Sequence, residues 1–329
     1  MFRGIPLNQS AMESRESTRP APPRSGPTYG SYLRLPELLS LQSPLSDAHD
    51  ELLFIVIHQA SELWIKLCLH ELGAARASII ADRIPPALKM MTRVARVQTQ
   101  LIQSWEVLAT ITPADYSLMR GSLGGSSGFE SHQYRLMEFM MGNKDARMIA
   151  VHDGAPDLQA ILRVALATPG IYDESIALLS RRGFYIPADL LSRDFTLPYV
   201  ASPEVEAAWV SVYADPDRYW DLYELAEKLV DLEYRFQLWR FGHLKAIERI
   251  IGFKRGTGGT AGVPYLASVV NQVFFPELLD VRRGLYWPRA CTISRSRCRR
   301  RFRSGLAIRR FRPNPSGLTG PTAPSRWLD

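Results

Sequence analysis

The stretch from Leu222 to Gly252 constrains the fold more than any other part of the chain. Apolar side chains recur there at spacings of three and four, so they form one stripe along a long helix that faces a core. The stripe consists of Leu225, Leu229, Leu232, Phe236, Trp239, His243, Ile247 and Ile250. A helix of this kind is predicted to be the central element of a helical bundle.

His243 stands out because it is an imidazole within this apolar stripe. Burying a polar group without a partner costs about 2 kcal/mol or more, so the ring needs a hydrogen bond or a metal. A Gly- and Thr-rich loop, GFKRGTGGTAGVPYL (252–266), follows the helix, and such loops often close a ligand pocket. Two interpretations remain: a core histidine bonded to a carbonyl, or a ligand to a metal or haem iron.

A second long helix is predicted to begin near Ser46 or Asp47, either of which can serve as its N-cap. Phe54 and His58 lie one turn apart on one side of this helix, roughly opposite a second apolar face. A helix that is apolar on two sides is expected to be sandwiched within a bundle. His58 is therefore either a site residue or a core histidine bonded within the bundle.

Tyr116 and Arg120 lie four residues apart on a short helix that Pro113 opens, and a Gly/Ser loop containing Ser127 follows. An arginine beside hydroxyl and backbone N–H groups can bind a carboxylate or a phosphate. A solvated arginine beside a surface loop is the alternative interpretation. Residues 87–111 and the stretch from Ala155 also have helical periods, and a short insert with Pro187, Pro198 and Pro203 is expected to lead to the long helix. No segment alternates as strands do. The fold class is therefore predicted to be all-α.

Composition divides the chain into three predicted segments. Residues 1–27 are rich in Ser, Pro and Arg and are expected to be a disordered leader. Residues 28–284 are expected to form the helical domain. Residues 285–329 are an Arg- and Pro-rich tail, expected to be disordered or derived from a frameshift.

Charge and cysteine usage limit the partners and the compartment. The formal net charge is +7, but residues 282–312 contain twelve Arg and no Asp, Glu or Lys, so the rest of the chain is near −5. That distribution predicts no nucleic-acid partner for the folded part.

Three cysteines without a Cys-x-x-Cys pair predict a reducing cytoplasm. Glu62 and Lys66 interrupt the most apolar run, so no membrane partner is expected.

Several catalytic signatures are absent from the sequence. The glycine loop lacks the Gly-Lys-Ser/Thr ending of a P-loop, and it follows a helix instead of a strand. None of the histidines follows a Glu at the spacing of a di-iron bundle, and neither His-Glu-x-x-His nor Gly-x-Ser-x-Gly occurs. What remains is a helical bundle with two imidazoles, an arginine and two hydroxyl-rich loops.

In their order along the chain, these features resemble the tryptophan 2,3-dioxygenases. The matching stretches are TYGSYLRL, DELLFIVIHQASELWIKLCLHEL, DYSLMRGSLGGSSGFESHQYRLMEFMMGNK, WRFGHLKAIERIIGFKRGTGGTAGVPYL and FFPELLDVR. The resemblance implies a helical haem enzyme that cleaves the indole C2–C3 bond of L-tryptophan with dioxygen. The implied product is N-formyl-L-kynurenine, in the first step of tryptophan degradation through kynurenine.

The resemblance also implies a role for each matching pocket residue. His243 corresponds to the proximal ligand of a non-covalent haem b, which is ferrous in the active enzyme. His58 corresponds to the distal, catalytic histidine that hydrogen-bonds to the indole N–H. Phe54 and Tyr116 correspond to aromatic walls of the indole pocket, and Arg120 to the residue that pairs with the substrate carboxylate.

Four further positions match the family outside this central group. Ser127 corresponds to a serine near the haem edge and the substrate ammonium, and Thr257 to a threonine near the substrate ammonium and carboxylate. Tyr29 and Tyr32 correspond to tyrosines that reach into the pocket of a neighbouring subunit. The implied assembly is therefore a homotetramer with its N-terminal segments exchanged between neighbours.

Two alternative functions remain compatible with the residues. One is a haem paralogue in secondary metabolism that inserts a single oxygen atom into a tryptophan derivative. The other is an inactive protein that binds haem or tryptophan.

Overall fold

The computed structural model describes residues 26–254 and 262–284. These residues belong to the first of the two units into which the chain divides, Met1–Leu285; the second, Tyr286–Asp329, lies outside them. The leader and tail expected at residues 1–27 and 285–329 thus fall almost wholly outside the described residues.

Helices and their connections account for all the described residues, which contain no strand, so the predicted all-α class is confirmed. The α-helices are α1 Tyr29–Leu33, α2 Leu35–Leu38, α3 Glu51–Ile80, α4 Ile84–Leu108, α5 Pro113–Arg120, α6 His132–Met141, α7 Pro156–Ala167, α8 Ile171–Arg181, α9 Ala188–Leu191, α10 Pro203–Ala214, α11 Trp220–Ile251, α12 Val263–Val270 and α13 Pro276–Gly284. Two 3₁₀ helices cover Gly128–Glu130 and Ala146–His152.

The helices α3, α4 and α11 form the centre of the bundle, where α4 packs against both of the others. α11 is the long helix expected from the apolar stripe, and the first half of that stripe is buried in the main core. The second half, from Trp239 onward, lines a cavity instead. One periodic face therefore serves both the core and the candidate site.

The start of α3 differs from the prediction. The helix begins at Glu51, with Asp50 as its N-cap, instead of directly after Ser46 or Asp47. The Glu51 carboxylate accepts hydrogen bonds from the backbone N–H groups of Leu45 and Ser46, at 2.7 and 2.8 Å. These bonds hold residues 45–50 in a turn that precedes the helix.

The second apolar face of α3 is only partly covered by the described residues, in contrast to the expected sandwich. Leu52 and Leu63 expose 49% and 52% of their surface, whereas Phe54 and His58 face the cavity. By length and composition alone, α3 is also apolar enough to cross a bilayer despite Glu62 and Lys66. Core helices of globular proteins pass the same test, so this result alone is weak evidence for a membrane span.

Proline positions explain two other differences. α4 begins at Ile84, before Pro85 and Pro86, because a proline in the first helical turn gives up no hydrogen bond. Pro203 likewise opens α10, which Ser202 caps, where the sequence suggested only a short insert.

Candidate functional site

The cavity is lined by the first half of α3, the end of α4, Tyr116 of α5, residues 126–131, the start of α6, the second half of α11 and α12. Its lining is mostly aromatic and aliphatic, with a few polar side chains. Both imidazoles singled out in the sequence, His58 and His243, line this cavity. An apolar cavity with a few converging polar groups is the usual form of a small-molecule site.

The α3 wall of the cavity is built from Phe54 and His58. Their ring centroids lie 4.2 Å apart, and His58 Nδ1 lies 2.7 Å from the Phe54 carbonyl oxygen. Since a carbonyl can only accept, Nδ1 carries the proton in this bond. Burial, the largest effect, lowers the pKa of His58 below its ordinary value of 6.5. The neutral ring therefore keeps Nε2 as a hydrogen-bond acceptor.

The α11 wall carries His243, which is partly buried. Its ring stacks on Trp105 with 4.4 Å between centroids and 8° between planes. Burial, and secondarily the repulsion from a charged His58, lowers the pKa of His243 to about 4. Within residues 26–254 and 262–284, no group forms a hydrogen bond with this ring. A neutral imidazole in that state can donate its lone pair to a metal.

Gly242 allows Trp105 to approach His243 this closely. A Cβ atom at position 242 would lie 2.9 Å from Cδ1 of the Trp105 ring, which is shorter than real Cβ contacts. Trp239 also contacts the Trp105 ring, at a centroid distance of 5.3 Å. A side chain at position 242 would thus require Trp105 to shift, so packing and not backbone conformation favours glycine here.

Gly242→Ala is expected to destabilise the protein by about 1–2 kcal/mol, because overpacking shifts Trp105. The free energy of unfolding in urea measures this change. Gly73→Ala in α3 is the matched control, because its Cβ would meet only Met140 Cε, at 4.0 Å. That control is expected to be neutral or stabilising by up to about 1 kcal/mol. Equal stability of the two variants would contradict the packing argument.

The α5 side of the cavity brings Tyr116 and Arg120 together as the sequence spacing suggested. Tyr116 lines the cavity, 6.5 Å from Phe54 between ring centroids. The Arg120 guanidinium lies 5.8 Å from the centre of the Tyr116 ring, so it adjoins the cavity through that ring. Ser127 also lines the cavity, and its side chain caps the 3₁₀ helix by accepting from the Phe129 N–H.

Two predicted positions, Tyr29 and Tyr32, do not line the cavity of this chain. Tyr29 and Tyr32 in α1 expose 76% and 75% of their surface. Thr257 lies outside the described residues, so its role stays a prediction.

Sequence reasoning missed a group of polar residues beside the cavity: Tyr134, Arg135, Glu138 and Arg240. Their side chains form a buried network of hydrogen bonds and ion pairs. A signal for them was present, since Arg240 lies one turn before His243 on the buried side of α11. A charged side chain at such a position requires a buried partner.

The sequence of the chain matches a known family of enzymes. The model for the family described as tryptophan 2,3-dioxygenase matches residues 13–285, so residues 286–329 lie outside the match. The tryptophan 2,3-dioxygenase of Erythrobacter litoralis is 62% identical over 258 residues, which cover 78% of this chain and 98% of that protein.

Enzymes of the same name from Cupriavidus necator and Bacillus thuringiensis are each 55% identical over 78% of this chain. The match covers 88% of the first enzyme and 92% of the second. These relatives do not favour a mono-oxygenating paralogue or an inactive binding protein. The chain therefore belongs to the tryptophan 2,3-dioxygenase family.

Proposed function

We propose that this chain cleaves L-tryptophan by means of a non-covalent haem b held by His243, and that it releases N-formyl-L-kynurenine. The chain is an enzyme of its family, and oxidative cleavage of tryptophan is its reaction. The cofactor, the product and the residue roles are the proposal. The observation that carries it is the pair of neutral imidazoles, His58 and His243, lining one apolar cavity.

The residues around His243 fit a haem iron better than a bare metal ion. The described part of the chain holds no cluster of three or more His, Cys, Asp or Glu side chains that could bind a metal. A bare ion usually needs several such ligands, whereas a porphyrin supplies its own equatorial nitrogens and needs one axial imidazole. When bound, ferrous haem supplies the iron that activates dioxygen.

His58 and Phe54 are proposed to orient the indole ring. His58 lines the cavity, and because its Nδ1 donates to the Phe54 carbonyl, Nε2 of the neutral ring is left as an acceptor. An indole N–H is a donor only, so it matches this tautomer. Phe54 and Tyr116 offer aromatic surfaces to the ring. His58 is thus a catalytic residue that positions the indole for attack by oxygen.

The zwitterionic end of tryptophan is proposed to lie toward α5. Arg120 pairs with the carboxylate, since a guanidinium binds a carboxylate through two parallel hydrogen bonds. Ser127 lines the cavity and is proposed to contact the ammonium group. Thr257 is proposed to assist at the same end.

The proposed assembly is a homotetramer with exchanged N-terminal segments. Its support is the exposure of Tyr29 and Tyr32 together with that of Leu52, Val56 and Leu63 on the second apolar face of α3. Apolar patches on folded proteins commonly mark interaction sites. The cysteine usage supports a cytoplasmic location.

One spectrophotometric assay tests the proposed function. Purified, haem-reconstituted and reduced protein is mixed with L-tryptophan and oxygen, while the Soret band and the near-ultraviolet product band are followed. The expected result is a Soret shift on adding tryptophan, followed by growth of the formylkynurenine band. A haem spectrum without product would contradict the proposal.

His58→Ala is expected to lower kcat/KM for L-tryptophan by about three- to tenfold, because one hydrogen bond between neutral groups contributes about 0.5–1.5 kcal/mol. 1-Methyl-L-tryptophan, which has no indole N–H, is the control substrate. It should abolish the difference between the variant and the wild type. An equal difference with both substrates would contradict the assigned role.

The pH dependence follows from the same residue. Because burial lowers the pKa of His58, its neutral form persists below pH 6.5. We expect kcat/KM to be constant from pH 8 to about 6.5 and to fall only at lower pH, where protonation removes the acceptor. His58→Ala should lack this decline, which a pH profile of both proteins measures.

A further inference from the structure

The helix α12, Val263–Val270, forms one wall of the cavity although little of it is packed in the core. Val263 is its only fully buried residue, and Tyr265, Leu266 and Val269 face the cavity. An eight-residue helix is too short to be stable alone. The position of this wall must therefore depend on contacts other than its own apolar burial.

Arg240 supplies such contacts from α11. Its Nη1 donates to the carbonyl oxygens of Val269 and Gln272, at 3.2 and 3.3 Å, and its Nη2 donates to Gln272 Oε1 at 3.2 Å. The Val269 carbonyl lies in the last turn of α12, where the helix dipole is negative, and it also accepts from the Gln272 N–H at 3.2 Å. Gln272 itself follows the helix by two residues. Arg240 is only 3% exposed, so these bonds are shielded from water.

The same guanidinium is fixed on its other sides. Nη2 also donates to Glu138 Oε1 at 2.8 Å, and Nε donates to the Tyr134 hydroxyl at 3.4 Å. Phe236 and Phe274 lie at 4.7 and 5.0 Å from the guanidinium carbon, measured to their ring centres. The group can therefore move little without breaking several contacts at once.

Glu138 extends this connection to the first half of α12. Its second oxygen accepts from Arg135 Nη1 at 2.6 Å, so two arginines share one carboxylate. The Arg135 guanidinium lies 4.6 Å from the Phe129 ring centre, and Phe129 in turn contacts Tyr265 edge-on at 5.4 Å. The buried network thus reaches α12 both at its C-terminal end and through Tyr265.

α12 separates the cavity from a second, more polar cleft. Four residues line both spaces: Arg135, Glu138, Tyr265 and Val269. Asn143 and Gln272 line only the polar cleft, and the Gln272 side chain donates to Asn143 Oδ1 at 2.5 Å. A shift of α12 would therefore change the width of the cavity and its separation from this cleft.

We propose that Arg240 is a positioning residue that holds α12 in place as the wall of the substrate cavity. It lies one turn before His243, so a single segment of α11 presents the proposed iron ligand and fixes the facing wall. The expected effect of Arg240 on tryptophan affinity rests on the proposed function. Its expected effect on the mobility of α12 is independent of that function.

Amide hydrogen exchange on the full-length, haem-reconstituted protein tests the proposal. Arg240→Lys keeps the positive charge but loses the planar guanidinium. A single ammonium group cannot donate to Glu138 and to the acceptors of Val269 and Gln272 together. Exchange within residues 262–272 should then rise by about tenfold or more, while exchange in α4 changes by less than about twofold. Gln272→Ala, which spares the Arg240–Glu138 pair, should raise exchange in the same segment and covers the case that Arg240→Lys fails to fold.

The matched control is Arg235→Lys, which removes the guanidinium of another α11 arginine, bonded to Thr99 Oγ1 at 2.9 Å. It should leave exchange in residues 262–272 unchanged. Unchanged exchange there in Arg240→Lys or Gln272→Ala would overturn the proposal. So would a uniform rise that includes α4, because Arg240 would then stabilise the fold generally.

Steady-state kinetics provide the second measurement. Arg240→Lys and Gln272→Ala should raise KM for L-tryptophan by about tenfold while kcat changes less, since the wall orients the substrate and does not take part in the chemistry. A fall in kcat at unchanged KM would overturn the positioning role. If the wild type itself produced no formylkynurenine, the proposed function would fail, while the exchange result would still decide whether Arg240 holds α12.

Discussion

His243→Ala is expected to lose stable haem binding, with an affinity at least about 100-fold below that of the wild type. Changes in groups that only orient a metal ligand already lower affinity by about 10- to 100-fold, and this variant removes the proposed ligand itself. The His243 ring has no hydrogen-bond partner among the described residues, so its loss should disturb the fold little. The measurement is the Soret absorbance per mole of protein after reconstitution and gel filtration.

Two further variants make this result specific. His70→Ala, which removes an exposed imidazole from α3, should retain the wild-type haem content. His243→Gly should regain a Soret band when free imidazole is added, because the space beside Trp105 can accept the small ligand. A normal haem spectrum in His243→Ala would show that another group holds the iron.

Arg120→Ala is expected to raise KM for L-tryptophan by about 10- to 100-fold. A hydrogen bond to a charged group contributes about 1.5–3 kcal/mol, and the variant removes the proposed partner of the carboxylate. The structural basis is the position of Arg120 at the end of α5, where it stacks on the cavity residue Tyr116. Initial rates across a range of tryptophan concentrations measure the change.

Tryptamine separates the proposed carboxylate contact from a general effect on the pocket. It lacks the carboxylate, so the wild type and Arg120→Ala should bind it with similar affinity, measured by the Soret shift. Arg163→Ala, in which an exposed arginine of α7 is lost, should behave as the wild type with both ligands. An unchanged KM for L-tryptophan in Arg120→Ala would mean that the carboxylate is bound elsewhere.

The long helices could be predicted well because their signal is local. Spacings of three and four residues identified α11 almost to its ends, and α5 was placed by Pro113 and the Tyr116–Arg120 pair. The expected insert at Pro203 is wrong, because a proline directly after the cap Ser202 begins the helix α10. The start of α3 was misplaced because Glu51 holds the preceding residues in a turn.

The candidate site was predictable only in part. The sequence placed Phe54 and His58 one turn apart on a single helix, and both residues line the cavity. It did not identify Trp105 as the ring that stacks on His243, since a tryptophan in an apolar stripe is expected to be an ordinary core residue. Nor did it show which apolar face of α3 is covered, because that depends on neighbouring helices and not on the period of α3 itself.

The sequence by itself determined the all-α class, the central helix and the identity of the two imidazoles. Helical periodicity and family motifs depend only on residues that are close together along the chain. Only the tertiary structure decided that Gly242 gives room to Trp105 and that Arg240 joins Glu138 to the end of α12. The Arg240–Glu138 contact spans 102 positions of the chain, and Trp105 and His243 come from different helices. No local pattern specifies such pairs, since they form only when the packing of several helices brings their side chains together.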